Sequence, residues 1–232
     1  MMVLEATDLA KTYTGGDGGL LTVLDGVRLE VAQGEMVAII GASGAGKSTL
    51  LHLLGALDTP TRGEVRVDGH ALAGLDDDAL SRLRNRRIGF VFQFHHLLRE
   101  FSALENVMMP LRVSGEPAAT ARARAEDLLR RVGLEGRMHH RPAELSGGEQ
   151  QRTAVARALA MAPALLLADE PSGNLDHANS ERLHDLLASL TRDLEIAMVV
   201  VTHNRSLAAR ADRVLLLEDG TLRPTALPEA LA

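Results

Sequence analysis

The apolar positions of this chain change period several times, and each change marks an element. Residues 3–9, 27–31, 36–40 and 64–67 are short runs bounded by Gly, Asp or Gln turns, which predict strands. Residues 88–92, 165–168, 197–202 and 214–217 are apolar nearly throughout, the pattern of strands covered on both faces. Leu50, Leu53, Leu54 and Leu57 recur at helical spacing and predict a helix over 47–57 with one face on a sheet. Leu183, Leu186, Leu187 and Leu190 predict another over 177–190. A third starts at Asp76–Asp78 and carries Leu80 and Leu83. Gly15-Gly16-Asp17-Gly18-Gly19 reads as a flexible loop tip.

From Gln93 the pattern is helical. Ser102 with Glu105, and Ser146 with Glu149, have the spacing of capping boxes at two helix starts. Pro117 suits the first turn of a helix running through Leu128 and Leu129 to Gly133. No internal repeat breaks the order. The expected organisation is one domain over 1–232, with an α/β core from 1–92 and 161–232 around a mostly parallel sheet, and a helical sub-lobe at about 93–160.

Composition narrows the chemistry. The 232 residues contain no cysteine, which removes disulfide scaffolds, thiol catalysis and Cys-ligated zinc. Aromatics make up 2%, with one tyrosine and no tryptophan, few for a protein that stacks on many bases. The net charge of −6 opposes general nucleic-acid binding, so no nucleic-acid partner is expected. Residues 93–160 hold 10 Arg against 8 acids, a net of +2 in an otherwise acidic chain, which suggests a sub-lobe with a different neighbour. No stretch reaches the roughly 18 continuous apolar residues of a membrane span, and no basic-then-apolar leader is visible at the start. Only Lys11 and Lys47 are lysines; Lys11 is expected to be a surface residue.

Gly41-Ala42-Ser43-Gly44-Ala45-Gly46-Lys47-Ser48-Thr49 matches G-x-x-x-x-G-K-[ST] between a predicted strand and helix. Its glycines let backbone N–H groups face a phosphate, and the helix start adds its positive dipole end. Lys47 reaches the β- and γ-phosphates, and Ser48 offers a hydroxyl to Mg²⁺. A glycine-rich turn without ligand is the plainer alternative, and the strand–loop–helix context opposes it. Downstream, the apolar strand 165–168 ends in Asp169 and Glu170, at the sheet edge where α/β proteins bind ligands. Asp169 suits Mg²⁺ held through water, and Glu170 suits polarising an attacking water. Ser146, Gly147 and Gly148 open a helix and read as a second anion site. One phosphate site rarely needs two such cradles, whereas two copies facing head to tail do.

With Leu145-Ser146-Gly147-Gly148-Glu149-Gln150-Gln151-Arg152 in place, nearly the whole chain resembles the nucleotide-binding subunit of ABC transporters. That resemblance implies a P-loop ABC-type fold with a mostly parallel core, an antiparallel β portion and a helical sub-lobe. It implies ATP and Mg²⁺ as ligands, with Tyr13 stacking on adenine and Gln93 joining Ser48 and Asp169 at the metal. Gly173-Asn174-Leu175-Asp176 matches the D-loop, and His203 the switch histidine at the γ-phosphate. Ser146, Gly147, Gly148 and Gln150 would act across an ATP-induced head-to-tail homodimer. Ala45 stands where serine is common, and Asn204 where aspartate is; neither removes a needed group.

The segment after Gln93 implies docking on integral membrane permease subunits, hence a peripheral protein on the cytoplasmic face of the inner membrane. Phe92-Gln93-Phe94-His95-His96-Leu97-Leu98, with Asp58-Thr59-Pro60 and His140-Arg141-Pro142, is most similar to ATP-binding subunits of lipoprotein-releasing systems. Macrolide-efflux and cell-division relatives share much of this pattern. The pair His95 and His96 suits packing and polar contacts better than metal, since no acid or cysteine nearby completes a site.

Overall fold

In a computed structural model, which describes residues 1–16 and 18–226, the chain builds two sheets. The first is antiparallel. Strands β1 (Met2–Thr14) and β2 (Leu20–Ala32) form a long hairpin, and β4 (Arg62–Val67) and β5 (His70–Ala71) extend it in the order β2-β1-β4-β5. The hairpin runs well beyond the expected 3–9 and 27–31. Its periodicity is interrupted by register shifts between Ala6, Leu9 and Lys11, where Asp8 and Gly26 take positive φ of 52° and 71°. Such bulges put two residues opposite one and break the alternation a reader relies on. Asp17, in the loop expected at the hairpin tip, lies outside the described residues.

The second sheet has six strands in the order β10-β9-β3-β8-β7-β6. They are β3 (Met36–Ile40), β6 (Ile88–Phe92), β7 (Leu165–Asp169), β8 (Ala197–Val201), β9 (Arg213–Glu218) and β10 (Thr221–Pro224). All pairs are parallel except β10, which turns back on β9 after Asp219-Gly220. The central strands split their side chains by alternation between two cores. Met36, Ala38, Ile40, Leu166, Ala168, Met198 and Val200 face the helices. Val37, Ile39, Leu165, Leu167, Val199 and Val201 face the antiparallel sheet. Burial on both sides is why these strands read as unbroken apolar runs.

Helix α1 (Lys47–Leu54) follows β3 and sits in the second core through Leu50, Leu51, Leu53 and Leu54. It stops three residues short of the expected Leu57, which is exposed. Ala56 takes φ 55°, and a Cβ on Gly55 would lie 2.4 Å from the Phe90 ring, so the chain must turn there at close range. Helix α2 (Asp77–Arg87) is capped by Asp76. Between β6 and β7 lie α3 (Ala103–Val113), α4 (Ala118–Arg131) and α5 (Gly147–Ala158), sharing Val107, Leu111, Ala121, Ala125, Leu129 and Val155 with the helix-side core. Helices α6 (His177–Asp193) and α7 (Arg205–Ala208) complete that side. Among the described residues no helix is long and apolar enough to cross a membrane.

Candidate nucleotide site

Strand register assembles the site. Phe92 pairs with Asp169, Asp169 with Val201, and Ile39 with Val201. Four parallel strands therefore end level with one another. Gly41, Gln93, Glu170 and Thr202-His203 leave the sheet side by side, although Gly41 and His203 lie 162 positions apart in sequence.

The loop from Gly41 to Gly46 leads into α1. Gly46 is the N-cap at φ 97°, and a Cβ there would lie 2.7 Å from Val23 Cγ1. No side chain caps this helix start, and its first turn has no acidic residue. The first-turn N–H groups have no intrahelical partner and face outward with the positive end of the dipole. Lys47 Nζ donates to the carbonyls of Gly41 and Ala42, 2.9 Å each, which lays the ammonium across the loop. A cleft of about 490 Å³ opens here, lined by Ser43, Gly44, Gly46, Lys47, Ser48, Thr49, Asp169 and Glu170, with Tyr13, Leu21 and Val23 on its apolar side.

Glu170 takes φ 44°, an unfavourable backbone for a residue with a side chain. The surroundings hold it there: its N–H donates to Val201 O at 2.9 Å. Its Oε1 accepts from the backbone N–H of His203 at 3.0 Å and from His203 Nδ1 at 2.7 Å, and Oε2 accepts from the Thr202 hydroxyl at 3.2 Å. Glu170 and His203, read separately in the sequence, form a bonded pair. His203 does not line the main cleft but a smaller cavity of about 220 Å³ that shares Glu170 with it.

Gln93 is paired with the loop after Glu170. Its Nε2 donates to Asn174 Oδ1 and Asn174 Nδ2 donates to Gln93 O, both at 3.1 Å. A Cβ on Gly173 would lie 2.8 Å from Gln93 Nε2, so that glycine permits the contact. With Nε2 committed, Oε1 is the end of the amide left for a cation. Ser48 and Asp169 line the cleft, and Gln93 follows Phe92, the strand partner of Asp169, outside its walls; the three offer only oxygen ligands, the type that suits Mg²⁺. Among the described residues no three His, Asp or Glu side chains gather into a metal cage. The set therefore fits an ion shared with phosphate oxygens, the usual way Mg²⁺ is held.

The second helix start is built differently. Ser146 caps α5, and its hydroxyl accepts from Glu149 N at 3.3 Å and donates to Glu149 Oε2 at 2.8 Å. Glu149 Oε2 also accepts from Ser146 N at 2.8 Å, and Oε1 accepts from Arg137 Nε at 3.0 Å. The Ser146 N–H, followed by its hydroxyl and by Arg137, holds the Glu149 carboxyl below its ordinary value. Gln150 Nε2 turns inward to the carbonyls of Pro142 and Leu145, 3.0 Å each. Asp176 caps α6, accepting from Asn179 N at 2.9 Å and from Asn179 Nδ2 at 2.6 Å, bonds that lower its carboxyl. Asn179 in turn faces Gly148, where a Cβ would lie 2.8 Å from its Oδ1. The signature and the D-loop thus meet, while Ser146, Gly147, Gly148, Gln150 and Asp176 stand outside the walls of the cleft in their own chain.

The segment after Gln93 is clamped to α5. Buried Gln151 donates through Nε2 to Phe92 O at 3.0 Å and bonds His95 Nδ1 through Oε1. Arg157 donates to His95 O at 2.8 Å and to His96 O at 2.7 Å. Burial lowers the Arg157 guanidinium from its ordinary value. His96 stands edge-on to Phe92, ring centroids 5.6 Å apart. Phe94, Leu98 and Phe101 are exposed beside this clamp, Phe94 by 64%. Local pattern does not reveal the role of Gln151 and Arg157, whose partners, three backbone carbonyls and the His95 ring, lie 56 to 62 positions away.

Lys11 departs from its expected surface role. Its side chain is only 12% exposed, and Nζ binds Asp58 Oδ1 at 2.7 Å. Its rarity among the basic residues was the available signal.

The ABC transporter family model matches residues 24–173. The Lipoprotein-releasing system ATP-binding protein LolD of Xanthomonas campestris is 56% identical over 225 residues, covering 97% of this chain and 93% of that protein. The LolD of Geobacter metallireducens is 54% identical over 218 residues, covering 94% and 96%. A dimeric ATP-binding cassette solved in a post-hydrolysis state with ADP and Pi superposes with a TM-score of 0.87 at 40% identity, covering 97% and 99%. Family match, relatives and site geometry agree: the chain belongs to the ABC transporter family, as one of its ATP-hydrolysing cassettes.

Proposed function

We propose that this chain is the ATPase subunit of a complex that releases lipoproteins from the inner membrane, working at its cytoplasmic face as a head-to-tail homodimer. The observation that carries the catalytic part is the common sheet edge, where the phosphate loop, Asp169, Glu170 and His203 emerge in line. The LolD relatives support the lipoprotein part.

Lys47 and the loop amides hold the β- and γ-phosphates. Ser48, Gln93 and Asp169 would hold Mg²⁺, which supplies positive charge against the phosphate oxygens when bound. Glu170 orients the attacking water and takes its proton. His203, tied to Glu170 through Nδ1, keeps Nε2 for the γ-phosphate. Ser146, Gly147, Gly148 and Gln150 cap the nucleotide of the second copy, with Asp176 at the seam between the two sites. Nucleotide then binds the closed dimer better than the open one, which is what closure requires. Residues 93–160 form the sub-lobe that moves. The exposed Phe94, Leu98 and Phe101 dock on integral membrane permease subunits, and the Gln151 and Arg157 clamp carries that contact to α5.

Glu170→Gln is expected to keep ATP-induced dimerisation while phosphate release falls by on the order of 10²- to 10⁴-fold. Near-normal turnover would remove Glu170 from the chemistry. The complex purified with its membrane subunits in proteoliposomes is expected to release a lipidated protein on ATP addition. ATP-driven efflux of a small drug without lipoprotein release would overturn that assignment.

A further inference from the structure

Lys11, Tyr13 and Asp58 form a cluster at the apolar end of the cleft. Lys11 Nζ donates to Asp58 Oδ1 at 2.7 Å and to Thr59 O at 2.8 Å. The same ammonium lies over the Tyr13 ring, 4.8 Å from its centroid. The Tyr13 hydroxyl donates to Asp58 Oδ2 at 2.9 Å. One carboxylate therefore holds the phenol with one oxygen and the ammonium with the other, and Thr59 N braces Oδ1 at 2.7 Å. Asp58 follows the end of α1 and donates through its N–H to His52 O in that helix. The ring on β1 is thus tied to the helix that carries the phosphate loop.

We infer that Lys11 and Asp58 are positioning residues that fix Tyr13 as a one-faced stacking platform for the nucleobase, at a set distance from the phosphate loop. This rests on the reading of the cleft as a nucleotide site. The ammonium covers one ring face, so a base stacks on the other, beside Leu21 and Val23. The cation also draws electron density from the ring, which lessens repulsion between the two π-faces. Asp58 stops the phenol from rotating away. Burial first, then the Asp58 bond, raises the Tyr13 phenol above its ordinary value, while Lys11 and the other partners lower the Asp58 carboxyl.

The chain supplies its own probe. Tyr13 is its one tyrosine and it has no tryptophan, so its tyrosine emission reports this ring alone. The experiment compares the full-length chain with Lys11→Met, Lys11→Arg and Asp58→Asn. It reads steady-state MgATP hydrolysis, binding of MgATP and of Mg-tripolyphosphate, and the change in Tyr13 emission on MgATP addition. Lys11→Met and Asp58→Asn are expected to raise KM for MgATP by about 3- to 10-fold with kcat within about twofold. Tripolyphosphate binding should stay unchanged, and Lys11→Arg should restore most of the KM. The emission change should shrink in Lys11→Met and Asp58→Asn. An unchanged KM in both, or equal weakening of ATP and tripolyphosphate, would overturn the inference. Absence of MgATP binding by the unmodified chain would instead overturn the nucleotide reading beneath it.

Discussion

Two helix starts in this molecule, at Gly46 and at Ser146, are built in opposite ways. Helix α1 begins at a left-handed glycine, with no side-chain cap and no acid in its first turn. Helix α5 begins at Ser146, whose hydroxyl and N–H are both bonded to the Glu149 carboxylate. The first leaves its orphan N–H groups and dipole to the ligand; the second satisfies part of its own end with a carboxylate. An open start binds phosphate by itself. A self-capped start offers mainly the Gly147 and Gly148 amides and holds a negative charge nearby, so it adds affinity only to a phosphate already fixed elsewhere. That hierarchy suits a site in which one copy binds nucleotide first and a second copy closes over it.

Making α1 resemble α5 is the strongest way to break this contrast. Thr49 occupies the position in α1 that Glu149 occupies in α5. Thr49→Glu would seat a carboxylate in the open start, and MgATP affinity is expected to fall by about 100-fold or more, measured by calorimetry. Retained affinity would mean that the open start does not govern phosphate binding. Next in size is Gly148→Ala, whose Cβ would meet Asn179 at 2.8 Å. ATP-induced dimerisation by light scattering should weaken about 10-fold, with monomer binding kept; a normal dimer would separate the signature from closure.

The reverse exchange should give a smaller gain. Glu149→Gln removes the charge from α5 and keeps the shape, so dimerisation should occur at roughly two- to fivefold lower ATP. Weaker dimerisation would assign Glu149 a supporting role instead. The smallest effect is on stability. The folded-state value of Glu149 lies below the ordinary 4.5, so its contribution is complete above that value and is lost as pH falls through the lower folded value. Thermal unfolding between about pH 5 and 3 should therefore drop more steeply in the unmodified chain than in Glu149→Gln. Equal slopes would remove Glu149 from the acid response.

Much of this was legible in the residue order. The Gly41–Thr49 motif, the strand before Asp169 and both capping boxes are local patterns, and each appears where its spacing puts it. The hairpin was half read, because bulges at Asp8 and Gly26 reset its alternation. Strand β10 was missed because Leu222 alone of its four residues adds to the core. The Glu170–His203 bond, the Gln93–Asn174 pair and the Arg157 clamp were beyond reach, since each joins positions 33 to 81 apart.

The sequence by itself determined which residues could do chemistry, because phosphate-binding amides, metal-binding oxygens and helix caps depend on neighbours within a few positions. Only the tertiary structure decided which of them act together. Parallel register aligned four strand ends, and burial of both sheet faces left that register no freedom to slip. Lys11 went from a surface lysine to a member of the Tyr13–Asp58 cluster for the same reason: its ion pair with Asp58 is made across 47 positions, which local pattern cannot describe.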